Sequence, residues 1–305
     1  MIRIATRRSP LARWQADWVA AALRDAGHEV KLVLLTSEGD VNQQTIDGSQ
    51  TVGLFTKRIQ QAVLSGEADV AVHSLKDLPT QLDTGLELVA VPTRAPVADC
   101  LITADGISFE QLPAGARLGT GSRRRAAQML SQRADLQIEA IRGNVQTRLE
   151  KLAGEGFDGV ILAEAGLLRL GLENHTAQRL SLDWMLPAPG QGALGLEIRP
   201  DDQLSKDALQ TLNSHSTFAC VTAERAVLRE LKAGCLAPVA ALARVENATL
   251  TLRAAVLSLD GQTRLETTAA IDCPQPEMLA AEALGVKVAE SLLDQGAGPL
   301  IAAAR

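Results

Sequence analysis

The chain has 305 residues, of which 46% are hydrophobic, and it carries a formal net charge of −6 at pH 7. This length allows two or three domains with separate cores, and the acidic balance excludes nucleic-acid binding through an overall basic surface. No apolar run approaches the roughly 18 residues of a membrane span. Because strand-like sequence begins at Ile2, no signal peptide is expected, and we predict a cytoplasmic protein that does not bind membranes.

The first 94 residues alternate strand and helix patterns. Ser9 and Pro10 are typical of the N-cap and first position of a helix over residues 11–26. Strands are predicted at residues 2–6, 29–36, 68–74 and 86–91, with a second helix over 54–64 and a polar loop over 37–53. This βαβαβ order predicts a parallel sheet with right-handed crossovers.

The same order is repeated in residues 95–189. Strands are predicted at 117–120, 136–141 and 157–163, with helices over 123–133 and 144–153. A Pro/Gly-rich segment at 186–192 and a strand at 193–198 then follow. We expect this segment to return the chain to the first sheet, so that residues 1–94 and 190–212 form one domain, 95–189 form a second, and a cleft lies between them.

The last part of the chain has a different pattern. A helix over 216–231 precedes strands at 239–245, 249–257 and 263–271, and a final helix covers 277–293. Asp260 and Gly261 form a hairpin signal between the last two strands. The sequence therefore predicts an α/β protein of two βαβ domains around a cleft, with a small α+β domain at residues 213–305.

Polar side chains end the predicted strand at residues 68–74. His73, Ser74, Lys76 and Asp77 follow its apolar part, and Pro79 prevents a regular continuation. The carboxyl ends of strands are where ligands bind in open α/β sheets. A surface ion pair between Lys76 and Asp77, worth little, is the alternative.

A second candidate site is the segment Gly119-Thr120-Gly121-Ser122, which leads into a helix that starts with three arginines. Free backbone N–H groups at a helix start, hydroxyl groups and guanidinium groups together predict an anion site. The segment lacks the spacing of a nucleotide-binding P-loop. The alternative, a basic turn that only faces water, is disfavoured because cations are unfavourable at a helix N-terminus.

Arginine recurs at other predicted strand ends. Arg7 precedes the first helix, and Arg142 and Arg148 flank the start of another. Arginine binds carboxylates and phosphates through two parallel hydrogen bonds. These positions together predict a cleft for a ligand with several carboxylates, although solvated surface arginines remain the alternative for each one taken singly.

Four cysteines are widely scattered, which indicates neither a disulfide framework nor a zinc site. Cys220, inside a predicted helix, fits a buried hydrophobic role. Cys235 lies on a predicted turn, where a thiol is more accessible and could be a nucleophile or an attachment point. The histidines are far apart, so no metal site is predicted.

Several motifs, in order along nearly all of the chain, resemble those of the porphobilinogen deaminase family. They are IATRRSPLA (residues 4–12), GLFTK (53–57), AVHSLKDLP (71–79), GTGS with two of the following arginines (119–125), RGNV (142–145), LPAPGQGA (186–193) and AERA (223–226).

The resemblance implies three domains, the first two built like periplasmic binding proteins. It implies a transferase of tetrapyrrole biosynthesis, which joins four porphobilinogen molecules head to tail with loss of ammonia and then hydrolyses off hydroxymethylbilane. It also implies a dipyrromethane cofactor, held by a thioether to Cys235, and a monomer. Each pyrrole ring carries an acetate and a propionate, which accounts for an arginine-lined cleft.

By the same resemblance Asp77 is the catalytic carboxylate. The positions that match the family's carboxylate-binding residues are Arg7, Ser9, Lys76, Thr120, Ser122, Arg124, Arg125, Arg142, Arg148 and Arg169. Departures from the family pattern include Val52 in place of a lysine, Arg123 in place of a leucine, and Ala95 to Asp99, which lacks a common arginine. The alternative function is a non-catalytic protein that binds small carboxylates on the same two-lobed scaffold.

Overall fold

The structure is a computed structural model that describes residues 1–35, 56–81, 85–234, 237–275 and 277–304. The predicted loop at 37–53 and the predicted attachment residue Cys235 lie outside these residues. Within them, the strands and helices are close to those expected from the sequence.

The strands are, in chain order, β1 (Ile2–Arg7), β2 (Val30–Leu35), β3 (Val70–Ser74), β4 (Glu87–Ala90), β5 (Asp99–Ile102), β6 (Arg117–Gly119), β7 (Gln137–Glu139), β8 (Gly159–Ala163), β9 (Gln178–Arg179), β10 (Leu194–Ile198), β11 (Val239–Glu246), β12 (Thr249–Leu257) and β13 (Arg264–Asp272). The helices are α1 (Pro10–Asp25), α2 (Lys57–Leu64), α3 (Arg123–Gln132), α4 (Val145–Gly154), α5 (Glu164–Leu170), α6 (Gln203–Gln210), α7 (His215–Glu230), α8 (Met278–Asp294) and α9 (Ala297–Ala302).

The first lobe is organised on a five-stranded sheet in the order β2-β1-β3-β10-β4. Strands β1, β2 and β3 are parallel, as predicted, but β10 lies antiparallel between β3 and β4. The purely parallel sheet expected from the βαβαβ order is therefore wrong in this one respect. The return of this strand to the first sheet was expected from the Pro/Gly-rich segment before it, but its antiparallel direction and its place between β3 and β4 depend on long-range pairing.

The second lobe contains the sheet β7-β6-β8-β5-β9. Strand β6 is parallel to β7 and β8, whereas β5 is antiparallel to β8 and β9. Strand β5 and helix α5 were not predicted from the sequence. The two sheets confirm the prediction of two βαβ units.

Two chain segments, at residues 91–98 and 187–193, cross between the lobes side by side. The backbone N–H of Ala95 donates to Gly192 O at 3.2 Å, which links the two crossings. Gly192 has a φ of +83°, and a Cβ there would lie 2.5 Å from the carbonyl oxygen of Ala95. Glycine is therefore required at this position both by the backbone conformation and by the close approach.

The third unit is an antiparallel sheet β11-β12-β13 covered by α7 and α8. Its hairpin turn packs against the second lobe, because a Cβ at Gly261 would lie 2.4 Å from Ala127 O in α3. On the other side, Phe218 and Val221 of α7 pack against Leu75 and Leu78 of the first lobe. The third unit thus contacts both lobes, and it confirms the small α+β unit predicted at the end of the chain.

Within the described ranges, the structure contains no helix with the length and apolar character that a bilayer crossing requires. The domain boundaries proposed after residues 94, 189 and 212 remain predictions of the sequence.

Candidate functional site

Asp77 lies on a short turn at the carboxyl end of β3. The strand ends at Ser74, and residues 75–77 form one turn of 3-10 helix before Pro79. Leu75 is fully buried and anchors this turn, whereas the Asp77 side chain is exposed. The segment of residues 75–79, called the Asp77 turn below, therefore presents a carboxylate outward from a rigid support.

A small cavity of about 70 Å³ opens beside the Asp77 turn, between the carboxyl ends of β1 and β3 and the first turns of α1 and α2. Ser9 is the N-cap of α1, where its hydroxyl accepts a hydrogen bond from the Ala12 N–H at 3.4 Å. The polar residues that line the cavity are Arg7, Ser9, Gln15, Thr56, His73, Ser74 and Asp77. The strand-end position predicted for Asp77, Arg7 and Ser9 thus brings all three to one cavity.

His73 and Ser74 have partners on neighbouring elements. His73 Nε2 lies 3.0 Å from Glu197 Oε2, and both side chains are buried. Gln60 Nε2 donates to Glu197 Oε2 at 3.0 Å, and Gln15 Nε2 donates to the Ser74 hydroxyl at 2.7 Å. Gln15, His73 and Ser74 all line the cavity, so these contacts fix part of its wall.

The predicted anion site at the start of α3 has an unexpected partner. Ser122 is the N-cap of this helix, as predicted, but Arg124 and Arg125 both turn inward to Asp99 at the start of β5. Arg124 Nη2 lies 2.8 Å from Asp99 Oδ2, and Arg125 Nη2 lies 2.7 Å from Asp99 Oδ1. All three side chains are buried, so these two arginines are part of the structure of the second lobe.

Burial opposes ionisation of Asp99, but the charges of Arg124 and Arg125 outweigh it and hold the pKa of this carboxyl well below its usual range. Burial and the neighbouring charge of Arg125 lower the pKa of Arg124 despite its pairing with Asp99. In the described part of the chain, the Arg124 Nε is a buried donor that has no acceptor. One carboxylate therefore does not satisfy both guanidinium groups.

Lys76 connects the Asp77 turn to this arginine pair through Gln191. Lys76 Nζ lies 3.5 Å from Gln191 Oε1, and Gln191 Nε2 donates to Asp99 Oδ1 at 2.9 Å. Gln191 is fully buried on one of the two crossings between the lobes. Burial and the charge of Arg125 lower the pKa of the Lys76 ammonium to about 8, although Asp77 and Asp99 act in the opposite direction.

Arg142 and Arg148 lie at the start of α4, whose N-cap is Asn144. Arg142 is exposed, and Arg148 is half-buried and donates through Nε to Gly143 O at 2.9 Å. Burial, reinforced by the charges of Arg125 and Arg142, lowers the pKa of Arg148 to about 10, and only Asp77 opposes this shift. Asp77 of the first lobe and Arg148 of the second lobe therefore act on each other electrostatically.

Arg169, on α5 of the second lobe, contacts the first lobe. Its Nη2 donates to Gly192 O at 2.7 Å, and its guanidinium carbon lies 5.7 Å from the centre of the Trp14 ring on α1. Burial lowers the pKa of Arg169 to about 10. Arg169 thus lies at the junction of the lobes rather than among the residues around Asp99.

The remaining predicted residues are placed as follows. Thr120 is buried, and its hydroxyl accepts a hydrogen bond from the Ser122 N–H at 3.2 Å. Arg123, which departs from the family pattern, donates to Ala304 O near the end of the chain. Cys235 lies outside the described residues, so the structure gives no account of its surroundings.

Asp99 and Gln191 were not predicted from the sequence as residues of the site. A signal for Asp99 was available, because it is a single acidic residue at the start of the apolar run Cys100-Leu101-Ile102, a position where a charge needs a partner. Nothing in the local sequence identified its partners, which are 25 and 26 residues away. Gln191 was quoted only as part of a motif, and its role depends on contacts with both lobes.

Two buried cysteines are poor nucleophiles in this fold. Burial raises the pKa of the Cys100 thiol to about 11 and that of the Cys220 thiol to about 12. Because the thiolate is the reactive form, both residues stay protonated near neutral pH. Cys273 is also buried.

At the level of the fold, residues of the two lobes resemble bacterial solute-binding proteins. A periplasmic substrate-binding protein of an ABC transporter from Coxiella burnetii is 16% identical, with a TM-score of 0.44 over 70% of this chain and 92% of that chain. A nutrient-binding protein from Burkholderia cenocepacia gives a TM-score of 0.42 at 15% identity, over 69% of this chain and 90% of that chain. These likenesses are too distant to carry an argument about the site.

Sequence comparison gives closer relatives. Porphobilinogen deaminase from Syntrophotalea carbinolica is 46% identical over 99% of this chain and 95% of that protein. The protein of the same name from Xanthomonas campestris pv. campestris is 46% identical over 99% and 98% of the two chains, and that from Cutibacterium acnes is 43% identical over 97% and 95%.

Family models cover the same extent. Residues 2–207 match the porphobilinogen deaminase domain that binds the dipyromethane cofactor, and residues 218–294 match the C-terminal domain of porphobilinogen deaminase. Together with the close relatives, these matches confirm the resemblance seen in the motifs: the chain belongs to the porphobilinogen deaminase family.

Proposed function

We propose that this protein is a porphobilinogen deaminase that joins four porphobilinogen molecules head to tail, releases ammonia at each step and finally hydrolyses off hydroxymethylbilane. We further propose that it acts as a cytoplasmic monomer. The observation that supports this function best is an excess of positive charge around one exposed carboxylate. Burial and neighbouring guanidinium groups lower the pKa of Lys76, Arg124 and Arg148, although Asp77 or Asp99 acts on each of them in the opposite direction.

This charge balance requires a ligand with several negative groups. The chain as a whole is acidic, with a formal charge of −6, so the local excess of cations is a property of the site. Buried charges and hydrogen-bond donors that lack partners are costly to the folded state. A bound carboxylate would reduce that cost for Arg148 and for the Arg124 Nε donor. Porphobilinogen and dipyrromethane, whose rings carry acetate and propionate groups, fit this requirement.

We assign the dipyrromethane to the same cleft, held through its carboxylates by the second-lobe arginines and by a thioether to Cys235. When bound, it supplies the free pyrrole carbon to which the first substrate is joined. The family match to a cofactor-binding domain supports the group, and the buried, protonated thiols of Cys100 and Cys220 favour Cys235 as its attachment point.

Asp77 is assigned the chemical role. Loss of ammonia from the aminomethyl group of porphobilinogen leaves a delocalised cation on the substrate, which a nearby carboxylate stabilises. The same carboxylate can accept the proton that the attacked ring carbon loses once the new carbon–carbon bond has formed. Arg7 and Ser9 line the cavity beside Asp77, and we assign them to binding the acetate and propionate of the incoming substrate.

The remaining assignments concern binding. Thr120 and Ser122 offer hydroxyl groups at the start of α3, Lys76 adds an ammonium group beside Asp77, and Arg169 lies at the junction of the lobes. Arg124 and Arg125 pair with Asp99, and we assign them a second role in binding carboxylates. We propose that all of these residues contribute to holding the carboxylates of the growing chain.

Intact mass measurement tests the function directly. We expect the purified protein to be heavier than its sequence by two linked pyrrole units, and we expect Cys235→Ser to lose this mass. Cys220→Ser is the matched control and should keep it. A wild-type mass equal to that of the bare chain, with nothing gained after incubation with porphobilinogen, would leave the alternative of a non-catalytic carboxylate-binding protein.

A further inference from the structure

We propose that Arg225, on α7 of the third unit, is a positioning residue that fixes the Asp77 turn for catalysis. The proposal rests on the role assigned to Asp77 above. Arg225 Nη1 donates to Leu78 O at 2.9 Å, and Nη2 donates to Pro79 O at 2.6 Å. These two carbonyl groups belong to the residues that directly follow Asp77 in the chain.

The contact is a fork of two short hydrogen bonds from a charged donor. Such bonds are stronger than those between neutral groups, and the planar guanidinium fixes two acceptors relative to each other. Arg225 is half-buried, which limits competition from water. The backbone on the carboxyl side of Asp77 is therefore held from outside the lobe that carries it.

The amino side of the same turn is held from within the first lobe. The Leu75 N–H donates to Ala193 O at 3.0 Å. Leu75 is also packed tightly, because a Cβ at Gly195 would lie 2.8 Å from Leu75 Cδ1. Asp77 is exposed between these two anchors, so the position of its carboxylate follows from the backbone that carries it.

Helix α7 contacts the turn with a second residue. Val221 lies one helical turn before Arg225, on the same face, and it packs against Leu78 in one apolar cluster. An apolar side chain and a guanidinium from one helix therefore cover the same short segment. These two contacts limit how far the Asp77 turn can move relative to α7.

The third unit is joined to the lobes by a different residue, Glu224, which precedes Arg225 in the chain. Glu224 is fully buried, pairs with Arg94 at 2.7 Å and accepts backbone hydrogen bonds from Gly190 and Ala243. This network links both crossing segments to the third sheet. Glu224 thus holds the interface between the third unit and the rest of the molecule. The hydrogen bonds of Arg225 have a separate effect, which is to hold the Asp77 turn.

The expected effect of Arg225→Gln is a loss of turnover with little change in substrate binding. A displacement of about 1 Å at a reacting group can lower a rate by roughly a hundredfold. We expect kcat, expressed per molecule that carries the cofactor, to fall about ten- to a hundredfold, while KM changes by less than about twofold. Arg225→Lys keeps a charged donor for one carbonyl and should recover part of this loss.

A matched control comes from the same helix. Arg229 lies one turn further on, is half-buried, and forms ion pairs with Glu230 and Glu282. Arg229→Gln removes the same guanidinium group from the same helix but breaks ion pairs that do not touch the turn, so it should leave kcat unchanged. Thermal unfolding and intact mass of each variant separate losses of folded or cofactor-bearing protein from losses of turnover.

A double-mutant cycle with Asp77→Glu identifies the residue through which Arg225 acts. Asp77→Glu keeps the carboxylate but moves it by one methylene group, so it should already lose the placement that Arg225 provides. Adding Arg225→Gln to it should therefore cost much less than the same change costs in the wild type, because residues that act together are not additive.

Three results would overturn the proposal. One is an unchanged kcat per cofactor-bearing molecule in Arg225→Gln, another is full additivity with Asp77→Glu, and the third is a loss that only follows the unfolded fraction. If Arg225→Gln does not fold, Arg225→Lys replaces it, and an unchanged kcat in that variant has the same meaning. A wild-type kcat in Asp77→Asn would instead contradict the role of Asp77 and leave the contact of Arg225 with the turn as a structural one.

Discussion

Asp77 and Asp99 show how differently the two lobes use an aspartate. Asp77 ends a turn in the first lobe and is exposed, whereas Asp99 starts β5 in the second lobe and is fully buried. Asp99 is bound by Arg124 and Arg125, and Asp77 is instead carried by a turn that is anchored on both sides. The carboxylate suited to chemistry is the exposed one, and the buried one is suited to holding cations in place.

The difference also explains why the two residues cannot exchange roles. A buried carboxylate with two guanidinium partners has lost its capacity to approach a substrate or to accept a proton, because its pKa is held well below the usual range. An exposed carboxylate such as that of Asp77 can approach a substrate. Four predictions test this contrast, from the largest expected effect to the smallest.

Asp77→Asn should lower product formation from porphobilinogen by roughly a thousandfold or more, because an amide can neither stabilise a cation by charge nor accept a proton. The melting temperature should stay within a few degrees of the wild type, since the side chain is exposed. Steady-state assay and thermal unfolding measure the two effects. Product formation close to the wild-type rate would refute the role assigned to Asp77.

Asp99→Asn should act in the opposite way, mainly on stability. Removing one partner of a buried ion pair costs about 3–5 kcal/mol, because the other charge is left unpaired, and here two guanidinium groups are left. Urea unfolding should show this loss at pH 7. The folded-state pKa of Asp99 is lowered, so its stabilisation is present above the ordinary pKa of about 4 and is lost as pH falls further. An Asp99→Asn variant as stable as the wild type at pH 7 would contradict the structural role assigned to Asp99.

Arg142→Ala extends the comparison to the arginines. Arg142 is exposed, unlike Arg124 and Arg125, so its loss should leave the melting temperature unchanged. It should slow elongation by about ten- to a hundredfold, the value of one hydrogen bond to a charged group, and native mass spectrometry should show partly elongated chains on the protein. An unfolded variant would make Arg142 a structural residue.

Lys76→Arg should have the smallest effect, and only at alkaline pH. The pKa of Lys76 is lowered to about 8, so the wild type should lose its ammonium charge, and with it some affinity for carboxylates, as pH rises through that value. We expect the wild-type kcat/KM to fall by up to about tenfold above pH 8, and Arg at this position to remove that decline. If the pH profiles of the wild type and of Lys76→Arg are parallel, a group other than Lys76 causes the decline in kcat/KM.

Local features of the fold and site were predictable from the sequence. Ser9, Ser122 and Asn144 all cap helices in the structure, because a cap depends only on the next few residues. Asp77 was located by the end of an apolar strand and a following proline. These features require no knowledge of distant parts of the chain.

Features that depend on distant residues were missed. The three arginines at the start of α3 indicated an anion site because cations oppose the helix dipole, yet Arg124 and Arg125 are paired with Asp99, which precedes them by 25 and 26 residues. The return of β10 to the first sheet was predicted, but its place between β3 and β4 depends on pairing with strands more than 100 residues away. Local patterns identify which groups are charged, and tertiary contacts decide which of them stay free.

The paired crossings have a mechanical consequence for an enzyme whose bound chain lengthens during its cycle. The segments at 91–98 and 187–193 are joined by Ala95 and Gly192, and Gln191 Nε2 also donates to Val97 O at 2.7 Å. Two strips of backbone bound side by side resist shear and twist but can bend together. Sliding of one crossing along the other would break these hydrogen bonds, so the two segments are held in register with each other.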